Sequence, residues 1–409
     1  MVSTKNGSII GSTARAILIE VSGILSPDDP YNGEIIIIAV PPSGPIGLAA
    51  LHCAQSCRQS HPLGSQSRWR MKILPLCAWQ PHTGSSGHVK IEHRKMGEVM
   101  TTEREVSFKS GPLTLAGTLR LPSAGGPWPS VLLVPGSGRI DRDENAAKLR
   151  INAFRDIAVH LAAQGIASLR YDKRGMGASE GSFWDAGLFD NVTDADAALT
   201  CLKSQPEIRP DQVFLLGHSE GAIISTRLGG TGADVAGIIL LAGPARKGED
   251  VLAGQAEQML KCVRGLNKWL IKLFRINIRK SQQKQLDKIK ASTKNWYRLR
   301  LVVKINAKWH REFMAYNPAE EMPRIQAPVL ALTGSKDIQV DPADLDVMAG
   351  LIKAQFESHV LPDITHLLRS EPGAPTFFNY KKQIKQPVAP IVLHAISDWL
   401  RKRIPLRAG

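Results

Sequence analysis

The stretch that decides the fold reads Val213-Phe-Leu-Leu-Gly217-His-Ser219-Glu-Gly221-Ala222. Its apolar start is short enough for a buried strand. The pentapeptide Gly217-His218-Ser219-Glu220-Gly221 breaks the run, and from Ile223 onward the spacing is helical. A strand that turns sharply through two glycines into a helix lifts the serine hydroxyl above a sheet edge. The new helix aims its first amides and the positive end of its dipole at the same spot. Ser219 is therefore a candidate nucleophile. The plainer alternative is a strand–helix turn in which it only caps the helix.

Working outward, strands and helices alternate. Glu105-Val-Ser-Phe108, followed by a run over 113–122, predicts an antiparallel opening pair. Strands are expected over 130–134, 166–171, 213–216, 235–242, 328–333 and 359–361. Helices are expected over 146–164, closed by Gly165, over 190–204, from Ile223, and over 389–401. The pattern predicts an α/β fold with a mostly parallel sheet and helices on both faces.

A serine needs a base near neutral pH, and the base needs a group to orient it. Both should come from the ends of later strands. Asp337, in Gly334-Ser335-Lys336-Asp337, follows the strand at 328–333 and is the candidate acid; Asp341 and Asp344 are the rivals, and Asp341, before Pro342, reads more as a helix cap. His366, in Asp363-Ile-Thr-His366-Leu367, follows the last strand in a loop, whereas His359 lies inside a strand and His394 on a helix. His366 is the candidate base. The plain reading of Asp337 is a turn residue. An oxyanion hole needs two converging backbone donors. The Glu220 amide is one candidate, and the Ser137 amide in Pro135-Gly136-Ser137-Gly138 is the other.

Alternation fails between the strands at 235–242 and 328–333. Residues 246–319 read as a basic, mostly helical insertion that would sit as a cap over the site. From Arg246 to Arg311 there are 18 Lys and Arg against four acids, or +14 of the chain's +15. The charge is thus a property of one segment. Its interleaved aromatics and cations admit a module that binds an anionic surface, through membrane-surface contact or single-stranded nucleic acid. A cap with solvated Lys and Arg and an apolar underside is the preferred reading, and no nucleic-acid partner is expected.

The 409 residues, 43% hydrophobic and 22% charged, fit an ordinary globular protein. Five irregularly spaced cysteines argue against a disulfide framework, and Cys53 and Cys57 lack a second ligand pair for zinc. With no signal peptide legible, a cytoplasmic location is expected. A membrane span over 35–51 is disfavoured by Pro41, Pro42 and Pro45. Residues 1–99 show one strand-like run at 34–40 and otherwise no sustained period. They read as an extension, or as text upstream of a true start at Met96 or Met100, and carry no assigned function. The core is expected over 100–245 and 320–409.

Over about 100–400 the chain resembles the α/β-hydrolase superfamily. Pro135-Gly-Ser-Gly138, Asp141-Arg-Asp-Glu-Asn145 and Arg170-Tyr-Asp-Lys-Arg-Gly-Met-Gly-Ala-Ser179 are similar to a subgroup of bacterial esterases and serine-aminopeptidase-like hydrolases. Many relatives begin the oxyanion loop with His-Gly, where this chain has Pro135-Gly136. The positions read above make a Ser219–His366–Asp337 triad for a small acyl substrate; the resemblance implies no metal and no organic cofactor and says little about the acyl group. It also implies a structural role for the Asp172 and Arg174 loop, and 141–144 read as capping the helix that follows, with a role at the mouth of the site as the alternative. Ester hydrolysis leads; amide or peptide hydrolysis is the alternative within the same chemistry. A catalytically dead scaffold is disfavoured by the intact triad.

Overall fold

The computed structural model describes residues 101–122, 125–147, 149–262, 278–299 and 303–405. The readings of residues 1–99, including the run at 34–40, lie outside the described residues. The chain enters through the antiparallel pair β1 (Thr102–Ser110) and β2 (Leu113–Leu121). Alternation then sets in: β3 (Trp128–Val134), α1 (Ala153–Ala163), β4 (Ala167–Tyr171), α2 (Leu188–Lys203), β5 (Ile208–His218), α3 (Glu220–Gly230) and β6 (Gly237–Leu241). The insertion contributes α4 (Gly248–Cys262), α5 (Ile278–Ala291), a hairpin of β7 (Trp296–Leu299) and β8 (Val303–Asn306), and α6 (Ala307–Ala315). The sheet resumes with β9 (Val329–Gly334), α7 (Asp344–Leu351) and β10 (Phe356–Leu361), and α8 (Pro390–Arg401) follows.

Eight strands form one sheet in the order β1-β2-β4-β3-β5-β6-β9-β10. From β4 through β10 every pairing is parallel, while β2 pairs antiparallel on both sides. The central strands are mostly apolar because both faces are covered, with Ser130, Ser168 and Arg170 among the buried exceptions. Their side chains alternate between two cores. Leu132, Val134 and Leu215 pack on one face with residues of α2 and α3. Val131, Leu133, Phe214 and Leu216 pack on the other with residues of α1 and α8. The result is the α/β-hydrolase architecture, with the reacting loops at the carboxyl ends of β3, β5, β9 and β10.

One expectation is corrected. The helix predicted over 146–164 begins only at Ala153. Upstream, the Asp141 carboxylate takes the amides of Asp143 and Asn145, and Ala146 bridges Leu149. The Asn145 side chain takes the Asn152 amide at 2.8 Å. Such side-chain acceptors compete with helical bonding despite the apolar spacing. Among its described residues the insertion is mostly helical and also holds a short hairpin. β7 and β8 pair there, with the Lys304 ammonium 3.8 Å from the Trp296 ring and 4.5 Å from the Trp184 ring. Some of its interleaved cations and aromatics therefore engage each other. Leu286 and Ile289 supply an apolar underside. Among the described residues no helix is long and apolar enough to cross a membrane.

Trp399 of α8 is 1% exposed and meets Phe214 edge-on, ring centres 6.2 Å apart. Removing an indole from a site closed on all sides leaves a cavity that rigid strands cannot fill. Trp399→Ala is expected to destabilise the fold by about 3–5 kcal/mol, read as a lower urea midpoint with an unchanged slope.

Candidate active site

The elbow is built by two close approaches. A Cβ on Gly217 would overlap the Gly221 carbonyl, and a Cβ on Gly221 would overlap the Val134 carbonyl at the end of β3. Only glycine lets backbone meet backbone there. Between them Ser219 sits at φ 54 and ψ −115, a strained conformation for a residue with a side chain. Its amide donates to the Leu241 carbonyl at 2.9 Å, and its carbonyl accepts from Ala222 at 3.0 Å, the first turn of α3. Strand and helix thus pin the turn from both ends, and Ser219 stands where the sheet gives way to α3.

Asp337 follows β9. One carboxylate oxygen accepts the amides of Gln339 and Val340 at 2.8 and 2.9 Å; the other lies 2.8 Å from His366 Nδ1. Both side chains are sealed, with exposures of 1% for His366 and 0% for Asp337. The acid and base loops are laced together. The Lys336 amide donates to the Ile364 carbonyl at 2.9 Å, and the Asp363 amide to Ser335 Oγ at 2.9 Å. Arg369, 1% exposed, holds the base loop from beneath, donating to the carbonyls of Ile151, Leu367 and Gln386. The His366 ring lies against that of His218, the neighbour of Ser219, with centres 5.0 Å apart.

The loop after β3 reaches the same point. A Cβ on Gly136 would lie 3.5 Å from Ser219 Cβ. The Gly136 amide is occupied by Glu144 Oε1 at 3.0 Å, so the next amide along, that of Ser137, is the loop's candidate donor. The Glu220 amide opens α3, and the first amides of a helix have no partner within it. The structure thus brings Ser137, Ser219, Glu220, Asp337 and His366 to one sheet edge. His359 stays outside, on the exposed face of β10 beside Glu357. His394 lies on α8 against His160, and Asp341 takes the Ala343 amide and pairs with Arg246.

Several participants escaped the sequence reading. The Glu220 carboxylate, expected to matter only through its amide, is 2% exposed. It takes Lys173 Nζ at 2.9 Å, Asn191 Nδ2 at 2.8 Å and Trp309 Nε1 at 2.7 Å. Lys173 also donates to the Gly136 carbonyl at 3.0 Å, so one ammonium spans both loops that carry the candidate oxyanion donors. Trp309 belongs to α6, which makes the cap a partner of the elbow. Asn306, the N-cap of α6, anchors that end by donating to the carbonyls of Phe183 and Ala186. The available signals were slight: a lysine just past a buried strand and a tryptophan in a basic segment. The capping role read for 141–144 is also corrected. Asp141 caps its own turn, while Glu144 is buried beneath the elbow. Asp172 does serve structure, accepting the Arg142 and Ala178 amides and pairing with the Arg142 guanidinium, as Arg174 pairs with Asp190 and Asp194. Among the described residues no group of three or more His, Cys, Asp or Glu could hold a metal ion.

Comparison with known proteins agrees with this architecture. The chain is 29% identical over 301 residues to esterase EstD of Thermotoga maritima, covering 72% of this chain and 68% of that one. The structure of Est1E from Butyrivibrio proteoclasticus with bound ferulic acid shares the fold at a TM-score of 0.50 and 17% identity, covering 73% of this chain and 98% of that one. A hydrolase family model described as serine aminopeptidase, S33, matches residues 150–373, more than half of the chain and a span that holds Ser219, Asp337 and His366. The chain belongs to that serine aminopeptidase S33 family of α/β hydrolases.

Proposed function

We propose that this hydrolase cleaves carboxylic esters through an acyl-enzyme formed on Ser219. The observation that carries the reading is the sealed 2.8 Å contact between His366 Nδ1 and Asp337 Oδ2 beside a strained serine. With Asp337 accepting from Nδ1–H, the free lone pair is on Nε2, the nitrogen a base must use. His366 then takes the Ser219 proton as Oγ bonds to the acyl carbon. The carbonyl oxygen gains charge and meets the amides of Ser137 and Glu220. His366 returns the proton to the departing alkoxide, which leaves as an alcohol. A water, deprotonated by the same imidazole, releases the acid and restores Ser219.

The family's description favours a second reading, cleavage of an amino-terminal peptide bond. That reaction needs a carboxylate open to the substrate's ammonium group. The carboxylates of Glu144, Glu220 and Asp337 are buried with partners inside the protein, which leaves Asp250, exposed on the cavity that Asp337 also lines, as the one that would have to serve. The name of the Thermotoga maritima relative points the same way, to an ester.

Ser219→Ala is expected to abolish turnover of short p-nitrophenyl esters while leaving the circular dichroism spectrum unchanged; persisting wild-type turnover would remove the serine from the mechanism. Asp337→Asn should keep the fold but lower kcat by about 10⁴-fold, because the amide favours the wrong imidazole tautomer. A panel of aminoacyl p-nitroanilides against matched esters separates the two readings. Higher kcat/KM on the esters is expected, and the reverse order would establish the peptidase.

A further inference from the structure

The side chain of His218 is buried inside the elbow, with the residue 4% exposed. Its Nδ1 lies 2.9 Å from Glu144 Oε1, and its Nε2 lies 2.9 Å from the backbone carbonyl oxygen of His366. Glu144 is 2% exposed and sits at φ 63, a region unfavourable for residues with side chains. The oxygen that faces His218 also accepts the Gly136 amide at 3.0 Å. Its other oxygen, Oε2, is closed to solvent and has no hydrogen-bond partner among the described residues. Nothing in the acyl-transfer steps above uses either residue.

We propose that His218 is a positioning residue that, together with Glu144, locks the oxyanion loop, the elbow and the backbone of His366 into one unit and so fixes the catalytic imidazole. This rests on the reading of Ser219 and His366 as nucleophile and base. Both atoms that face the His218 ring, a carboxylate oxygen and a carbonyl oxygen, are acceptors. A neutral imidazole has one N–H and could satisfy only one of them. The ring therefore carries two protons and forms a buried ion pair with Glu144. Burial pulls the ring toward its neutral form, but the charge and hydrogen bond of Glu144 and the His366 carbonyl outweigh it, and the pKa stands above that of an ordinary histidine. Charge-assisted bonds of this kind are short and directional, which suits a brace.

The consequence falls on His366. Asp337 holds its Nδ1, His218 holds its carbonyl, and the two rings meet at 40° with centres 5.0 Å apart. Backbone and ring are thus fixed independently. The same brace occupies the Gly136 amide, which leaves the Ser137 amide to face the reacting oxygen. A misplacement of about 1 Å in such a group can lower a rate by about 100-fold.

Two variants and one measurement on the unaltered protein test the brace. Glu144→Gln keeps shape and removes the charge; His218→Gln offers one donor group where the imidazolium offers two. With full-length protein and p-nitrophenyl acetate, kcat is expected to fall by about 10–100-fold in each while KM stays within about twofold. Fluorophosphonate labelling of Ser219 should slow by the same factor and reach the same final stoichiometry. Independently, ring-nitrogen NMR of the wild-type protein at about pH 7.5, where an ordinary histidine is neutral, should show one doubly protonated imidazole. That measurement decides the matter even if both variants misfold. Wild-type labelling rates at Ser219 in the variants, or histidine rings that are all neutral, would overturn the brace and leave the triad standing. A label on any other residue would overturn the site reading itself, and the brace with it.

Discussion

The carbonyl of Val134 and the backbone of Gly221 occupy the same few ångströms, and the rest of the site hangs on that approach. It brings the end of β3 against the start of α3, so the loop that follows β3 must pass beside the serine. It also forces Ser219 into a conformation that an unconstrained chain would relax. The strain persists because parallel strands on both sides of β5 and the first turn of α3 leave the turn no other path. A catalytic edge on this fold is a consequence of packing backbone on backbone, with side chains placed afterwards.

What those side chains then do is largely electrostatic. Two buried carboxylates flank the elbow, Glu144 on the side of His366 and Glu220 on the side of the cap. Neither is left to face the low-dielectric interior alone. Glu220 has Lys173, Asn191 and Trp309, and Glu144 has His218 and the Gly136 amide. Burying such groups is costly unless they are paired, and pairs of this kind serve geometry better than stability. Each carboxylate here joins segments far apart in the chain. Lys173 ties the oxyanion loop to the elbow, and Trp309 brings the cap into the same network. The insertion is therefore bonded to the elbow through Trp309.

Much of this was legible in the chain. Runs of apolar residues bounded by glycine and proline placed the sheet strands, because strands buried on both faces carry no polar alternation to confuse the reading. The candidates Ser219, Asp337 and His366 were read from position, each just past a strand, in the chain order Ser, Asp, His. The misses have physical causes. The spacing at 146–152 is helical, but the carboxylate of Asp141 and the amide of Asn145 capture the backbone first. The hairpin of β7 and β8 hides in a segment whose charge dominates its pattern. Glu144 read as part of a helix cap because an acidic run just before a helical spacing usually serves the helix start.

The sequence by itself determined the architecture and the chain order of the candidate residues Ser219, Asp337 and His366, because these depend on local spacing: the period of apolar residues and the glycines that a sharp turn demands. Only the tertiary structure decided which polar groups work together. Glu144, His218 and His366 are separated by tens to hundreds of residues, and no local pattern records that one carboxylate and one carbonyl will close on the same imidazole. Nor could spacing reveal that Trp309, in a basic insertion, would reach Glu220. Those contacts exist because the sheet brings four strand ends to one edge, and buried charge there must find its partner in space.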